Sequence, residues 1–238
     1  MTNPPFSLFR EFMAWITEAG KSFLVIGNMN AITYKEIFPL IKEGKLWMGP
    51  SIHSGDREFG VPNDYPLTAS GYRIDEHDRK FIRVKGVRWF TNLEHGRRHK
   101  PMQLMTMQDN IRFSHHKEVK GKGYSRYDNY DAIEVPYTDA IPGDYDGVMG
   151  VPISFLDRYC PEQFEILGCT EGEGKGFSNG LWDSKRAVSQ PIVGRAEFTR
   201  GYLSKLRIPG CDKYDRPYVN GRRLYFRILI KQKLLPHL

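Results

Sequence analysis

Cysteine is scarce in this chain: Cys160, Cys169 and Cys211 are the only three among 238 residues. An odd number without C-x-x-C spacing supports neither a disulfide framework nor a cysteine-rich zinc site, and it fits a reducing, cytoplasmic setting. Long apolar runs are missing too. Stretches such as "FLVIG" at 23–27 fall far short of the roughly 20 residues a membrane helix requires. The first residues lack the charged-then-apolar order of an export signal. There is no internal repeat and no low-complexity tract, and no Walker loop, H-E-x-x-H or G-x-S-x-G sequence occurs. The expectation is a globular protein with no membrane partner.

What is present begins with charge. Lys and Arg outnumber Asp and Glu by 35 to 28, a net charge of +7, and 40% hydrophobic content supplies a sizeable core. The excess favours a polyanionic partner without naming one.

The first fifty residues have a clear rhythm. "SLFREFMAWITEAG" places Leu8, Phe12, Trp15 and Ile16 at helical spacing, widened by Phe9 and Met13, with Ser7 as N-cap and Gly20 as the stop. "KSFLVIGN" reads as a strand buried on both faces of a parallel sheet. "TYKEIFPLIKEGK" is helical, kinked or shortened by Pro39, and "LWMG" is a further strand. This order predicts an α/β fold. Residues 51–80 read as a long loop, and "KFIRVKGVRWFTNL" as a strand pair or one bulged strand. "EHGRRHK" marks a boundary, which gives a first portion at 1–100 and a mixed, β-rich portion at 101–238.

The opening turn, "NPPF" at residues 3–6, carries the most specific chemistry. A nucleobase amine is a poor nucleophile because its lone pair is delocalised into the ring. Two acceptors, each taking one N–H, favour a pyramidal nitrogen and expose the lone pair. Asn3 offers a side-chain amide oxygen and Pro4 a backbone carbonyl. The successive prolines Pro4 and Pro5 fix φ and remove donors, and Phe6 offers a ring for a base flipped out of a duplex. The bland alternative is an ordinary Asn-Pro turn ahead of a helix, with Phe6 in the core.

"TNPPFSLFREFM", "FLVIGNMNAITYKEIFPLIKEGKLWMG", "VRWFTNL", "RYDNYDAIEV", "IPGDYDGVMGVPISFLDRYCPEQFEILG" and "FRILIKQK" extend the pattern over nearly the whole chain. Together they resemble the EcoRI-type adenine-specific DNA modification methylases. The resemblance implies a partial Rossmann-like methyltransferase sheet followed by a target-recognition region. It implies methyl transfer from S-adenosylmethionine to adenine N6 in duplex DNA, within a restriction-modification system. By position Asn3, Pro4, Pro5 and Phe6 match the catalytic turn, and Asn28 and Asn30 match residues at the same sheet edge.

The family's S-adenosylmethionine-binding segments precede this turn, and they are not evident here. The expectations are a fragment, a separate polypeptide supplying the cofactor half, or a DNA-binding remnant without catalysis of its own. In a permuted arrangement, Gly172, Gly174 and Gly176 in "FEILGCTEGEGKGF" would form the cofactor loop, but the turn-rich sequence after them argues against it. Methylation of RNA or of a protein glutamine uses similar turns in other families.

Basic clusters interleaved with aromatics suggest a DNA cleft. Lys85, Arg88, Arg97, Arg98, Lys100, Arg222 and Arg223 are its candidate contacts. His95 and His99, and the adjacent pair His115 and His116, lack a Cys or carboxylate that completes a ligand set, so no metal is expected. Asp144, Asp146 and Asp157 suggest paired carboxylates, but the surrounding glycines favour a structural loop.

Overall fold

The structure, a computed structural model, describes residues 1–52, 56–66, 71–128, 131–170 and 217–233. Gly172, Gly174, Gly176 and Cys211 lie outside the described residues. Chain order runs α1 (Phe9–Glu18), β1 (Leu24–Asn28), α2 (Phe38–Lys42), β2 (Trp47–Met48), β3 (Arg57–Val61), β4 (Tyr72–Ile74), β5 (Lys80–Val84) and β6 (Val87–Thr91). It continues with α3 (Met107–Phe113), β7 (Ile133–Glu134), β8 (Met149–Val151), β9 (Phe164–Cys169), β10 (Tyr218–Val219), β11 (Arg222–Arg223) and β12 (Ile228–Gln232). The architecture is mixed α/β with small sheets. Among the described residues no helix is long and apolar enough to cross a membrane.

A 3-10 turn at Phe6–Leu8 delays the start of α1 to Phe9 and takes up Ser7, so the N-cap is Leu8 with no side-chain cap. The later start fixes the face that turns inward. Phe9 and Met13 are buried and Phe12 and Ile16 flank them, while Leu8 and Trp15, expected on the same stripe, are exposed at 55% and 61%. The expected stop holds. Gly20 has φ +60°, Gly20 N–H donates to Thr17 O and Lys21 N–H to Ile16 O, the pair of bonds that closes a helix through a left-handed residue.

α1 lies close against β1. A Cβ at Gly27 would sit 2.4 Å from Phe9 Cε2 and 2.9 Å from Phe90 Cε2, and the rings of Phe9 and Phe90 meet edge to face at 5.1 Å. Only a glycine permits this approach.

β1 is a strand as expected, but it alternates buried and half-buried residues instead of being buried on both faces, and its main partner is antiparallel. The sheet order is β1-β6-β2, with both pairs antiparallel, so β1 and β2 run the same way and the segment carrying α2 crosses between them. The parallel expectation failed because the returning strand β6 is inserted between them. Asn92 and Thr91 lock its far end: Phe23 N–H donates to Asn92 Oδ1 at 2.8 Å, and Thr91 Oγ1 donates to Phe23 O at 2.7 Å.

The stretch at 51–80 is not all loop. β3 and β4 flank β5 in a second antiparallel sheet. Every residue of β4 is exposed, so no buried alternation marked it. Arg73 makes a two-pronged pair with Glu58 at 2.7 and 2.6 Å and lies over the Phe81 ring. β5 and β6 are two strands, as one reading of their sequence held, yet they enter different sheets through the corner at Lys85 and Gly86.

Beyond residue 100 a four-stranded sheet has the order β7-β8-β12-β9, in which only β7 and β8 are parallel. Beside it β10 and β11 form a hairpin through Asn220 and Gly221, at φ 49° and 71°, the left-handed pair that a two-residue turn requires. Asp128 accepts both N–H groups, at 3.1 and 2.7 Å. A buried network joins Tyr127, Glu134 and Arg227, with Arg227 Nη2 2.7 Å from Glu134 Oε1.

One hydrophobic cluster runs through both portions. It holds Phe9, Val25 and Phe90 together with Ile133, Phe164 and Ile230, and Phe38 meets Phe226 edge to face at 6.2 Å. Substituting Gly27→Ala, with no space for the methyl, lowers the unfolding free energy by about 1–3 kcal/mol. Urea titration checks this, and an unchanged midpoint would contradict the packing described.

Candidate functional site

The opening turn is seated by its neighbour. Thr2 N–H donates to Leu24 O at 3.0 Å, and Ile26 N–H donates to Thr2 O at 3.1 Å, forming a parallel bridge between Thr2 and Val25. Because Thr2 runs alongside β1 in the same direction, the chain from Asn3 onward heads toward the end where β1 finishes.

Pro4 is buried, Asn3 and Pro5 are exposed, and Phe6 is 38% exposed. The Pro5 carbonyl accepts Leu8 N–H at 2.9 Å. The Asn3 amide and the Pro4 carbonyl, in contrast, have no hydrogen-bond partner among the described residues. The turn thus holds two acceptors without a hydrogen-bond partner among the described residues, on exposed Asn3 and buried Pro4, and a partly open ring. Phe6 does not belong to the core, as the bland reading had it.

Asn28, the last residue of β1, serves the scaffold. Its Nδ2 donates to Lys85 O at 3.0 Å and its Oδ1 accepts Asn30 N–H at 2.9 Å. Met29 N–H adds a bond to Gly86 O. Since Val87 pairs with Asn28, this clasp holds the Lys85–Gly86 corner at the end where β1 finishes, with Lys85 exposed. Asn30 is exposed, and its carbonyl accepts Thr33 Oγ1 at 2.9 Å.

The candidate DNA contacts divide sharply. Arg88 is 5% exposed and pairs with Asp157 through Nε at 3.1 Å and Nη2 at 3.2 Å. Arg98 lies 3.8 Å over the Trp47 ring and pairs with Glu94, its side chain 12% exposed. Arg88 is thus committed inside the fold, whereas Arg98 shares a carboxylate that is 57% exposed; either guanidinium would have to abandon its partners to reach a phosphate. Lys85, Arg97, Lys100 and Arg222 are exposed, and Arg223 occupies the second position of β11.

Arg97 donates to Pro50 O at 2.9 Å and, with Lys100, lines a cavity of about 770 Å³. Thr138, Asp139 and Arg158 line it too and continue into a second cavity of about 420 Å³. Arg158 is exposed. Sequence reasoning missed it because it stands alone in "FLDRYC", outside any basic cluster.

The other constellations resolve in different ways. Asp144 accepts Met107 N–H at 2.6 Å at the start of α3, and Asp157 belongs to Arg88, so neither serves a carboxylate pair. His95 Nε2 lies 3.0 Å from Met48 O. Asp139 does reach both His115 and His116, which corrects the expectation that no carboxylate accompanies them.

His99 bridges two acids, with Nδ1 2.7 Å from Glu162 Oε1 and Nε2 2.8 Å from Glu94 Oε2. Hydrogen bonding to Glu94, then to Glu162, raises the imidazole pKa above its ordinary 6.5. Partial burial pushes the Glu162 carboxyl up, but the bonds from the Cys160 thiol and His99 outweigh it and hold the group at about 2. Burial and the Glu162 contact raise the Cys160 thiol, which is the wrong direction for a nucleophile.

The family described as "Adenine-specific methyltransferase EcoRI" matches residues 1–233. Over 235 residues the chain is 39% identical to the Type II methyltransferase M.EcoRI of Escherichia coli, covering 99% of this chain and 57% of that relative. It is 39% identical to the Type II methyltransferase M.MpnI of Mycoplasma pneumoniae, covering 98% of this chain and 63% of that one. It is 32% identical to M.MgeORF184P of Mycoplasma genitalium, covering 98% and 64%. The chain thus spans about six-tenths of the length of these relatives. No solved structure matches.

Two measurements check the roles assigned to charge. Replacing Asp157 with Ala removes the carboxylate from buried Arg88 and costs about 3–5 kcal/mol in denaturant unfolding; a loss below about 1 kcal/mol would mean that the pair behaves as a surface pair. The His99 bridge forms with the ring protonated. Because its folded pKa is raised, its stabilisation is fully present below pH 6.5 and lost as pH rises through the raised value. Melting temperature therefore steps down across that window in the wild type and lacks the step in His99→Gln, whereas an identical step in both would refute the bridge.

Proposed function

The chain belongs to the family described as adenine-specific methyltransferase EcoRI, and from that premise we propose that it serves site-specific methylation of adenine N6 in duplex DNA, in a restriction-modification system. The observation that carries this reading is the pair of unengaged acceptors, Asn3 Oδ1 and Pro4 O, beside the exposed ring of Phe6. Each oxygen takes one N–H of the adenine amine, which turns the nitrogen lone pair outward. As nitrogen gains positive charge in the transition state, the same oxygens stabilise it without reorganising, because the prolines have already fixed the turn. Phe6 stacks on the extruded base.

S-adenosylmethionine is the donor in this reading and supplies, when bound, an electrophilic methyl on a sulfonium sulfur. The described residues fit the acceptor side of that transfer. They do not fit the donor: among them no glycine-rich loop joins a strand to a helix. The donor-holding groups are to be sought in a segment preceding the turn in a longer protein, of which this chain would be a fragment, or on a separate polypeptide. Residues 1–100 carry the catalytic turn and residues 101–238 target recognition. Lys85, Arg97, Lys100, Arg158, Arg222 and Arg223 are the cations proposed to meet phosphate.

The same shortage of donor-side residues favours a second reading, a DNA-binding polypeptide without catalysis of its own. Methyl transfer to duplex DNA, measured with any donor-binding polypeptide present, separates the two. Asn3→Ala is expected to slow transfer by at least about 100-fold while leaving the fold and the salt dependence of DNA binding intact, because Asn3 is exposed. Transfer at the original rate would remove Asn3 from the chemistry. Salt-sensitive DNA binding with no saturable uptake of S-adenosylmethionine would support the second reading, and preferential methylation of RNA or peptide would overturn both.

A further inference from the structure

The geometry points to a divalent transition-metal site formed by His115, His116 and Asp139, on the wall of the groove that holds Arg158 and Lys100. His115 and His116 follow α3, and Asp139 lies in a 3-10 turn at Thr138–Ala140. One nitrogen of each ring and one oxygen of the carboxylate lie within 4.8 Å of one another. His116 Nε2 is 2.8 Å from Asp139 Oδ1, and His115 Nε2 is 3.6 Å from Oδ2.

The two segments do not need these side chains to stay together. Buried Asn110 donates to Ala140 O at 3.4 Å and Tyr124 donates to the same oxygen at 2.6 Å. The ligand positions are therefore set independently of any bond among the three groups, which is what preorganisation of a metal site requires. Ring orientation is set as well. His116 stacks on Tyr137 at 3.6 Å with 6° between the planes, and the His115 ring centroid lies 3.8 Å from that of His116. Stacking uses the ring faces and leaves the nitrogen-bearing edges for Asp139.

One carboxylate and two imidazoles from separate segments thus converge on one point. A cation there takes one lone pair from each ring, in the tautomer that leaves that nitrogen bare, and one from the carboxylate. Two imidazoles and one carboxylate suit zinc, cobalt or nickel rather than magnesium or calcium, and three protein ligands leave at least one position for water. Asp139 also lines both cavities, so the ion would cancel the carboxylate of an otherwise cationic wall. The site itself stands independently of methyl transfer.

Cobalt(II) titration of the chelator-treated chain, followed by visible absorption, and zinc calorimetry test the proposal. One ion per chain is expected, with negligible competition from excess magnesium. His115→Ala and Asp139→Asn should each weaken binding by at least about tenfold. The His115 side chain is 75% exposed, so its removal leaves folding intact and keeps the test valid if the Asp139 variant fails to fold. His99→Ala should bind as the wild type does. Absence of saturable uptake, unchanged affinity in His115→Ala, loss in His99→Ala, or equal binding of magnesium would each overturn the site.

Discussion

The pairing of Thr2 with β1 is the constraint on which the candidate catalytic edge depends. Pro4 and Pro5 make the turn stiff, but stiffness positions nothing until the base of the turn is fixed. Two backbone hydrogen bonds, one to Leu24 and one from Ile26, provide that fixed point and leave the acceptors of Asn3 and Pro4 without a partner among the described residues. Gly27 extends the same constraint to the other end of the turn. The Phe6–Leu8 segment leads straight into α1, so the angle of Phe6 follows the seat of α1, which rests on the ring-to-backbone contact at Gly27. A methyl group there would disturb the ring proposed to receive a base without touching the turn itself.

Charge shows why a basic sequence is a poor map of a basic surface. Arg88 and Arg98 come from the same kind of cluster as Lys85 and Lys100. Their fates differ because acceptors lie near two of them: Asp157, 69 residues away, for Arg88, and Glu94 with the Trp47 face for Arg98. A buried guanidinium that lost such a partner would keep its desolvation cost. Arg88 ties β6 to the segment of Asp157, Arg98 is engaged locally, and the surface potential rests on the exposed cations. Arg158, isolated in sequence, joins Arg97 and Lys100 through the cavity they share.

The readable parts of the sequence were those governed by local chemistry. Gly20 ended α1, Pro39 left α2 short, and β1, β2 and β6 had enough apolar density to stand out as strands. The NPPF turn was legible as chemistry because its acceptors and its rigidity are properties of four adjacent residues. Strand direction was not, since an apolar run looks the same whether its partner runs with it or against it. β4 left no trace because all its residues face solvent, and the 3-10 turn that rotated α1 lay within an ordinary helical pattern. The acidic partner of His115 and His116 was hidden by its 23-residue separation from His116. Spacing rules find ligand sets within one segment and miss those that two segments assemble.

The continuous core sets a mechanical condition on the proposed reaction. Phe9 and Phe90, beside the opening turn, share one hydrophobic cluster with Ile133 and Phe164, near the groove. Close-packed interiors transmit displacement rather than absorb it. The acceptor pair and the cationic groove are thus held in a fixed relation, and a duplex spanning both must supply the adjustment itself. Extruding one base costs a few kcal/mol, and contacts between exposed cations and phosphate are the available compensation, which weakens as salt rises. On the proposed reading salt slows methylation through loss of bound DNA, while Asn3 and Pro4, whose contacts would involve no mobile counterion, set how fast the bound adenine reacts.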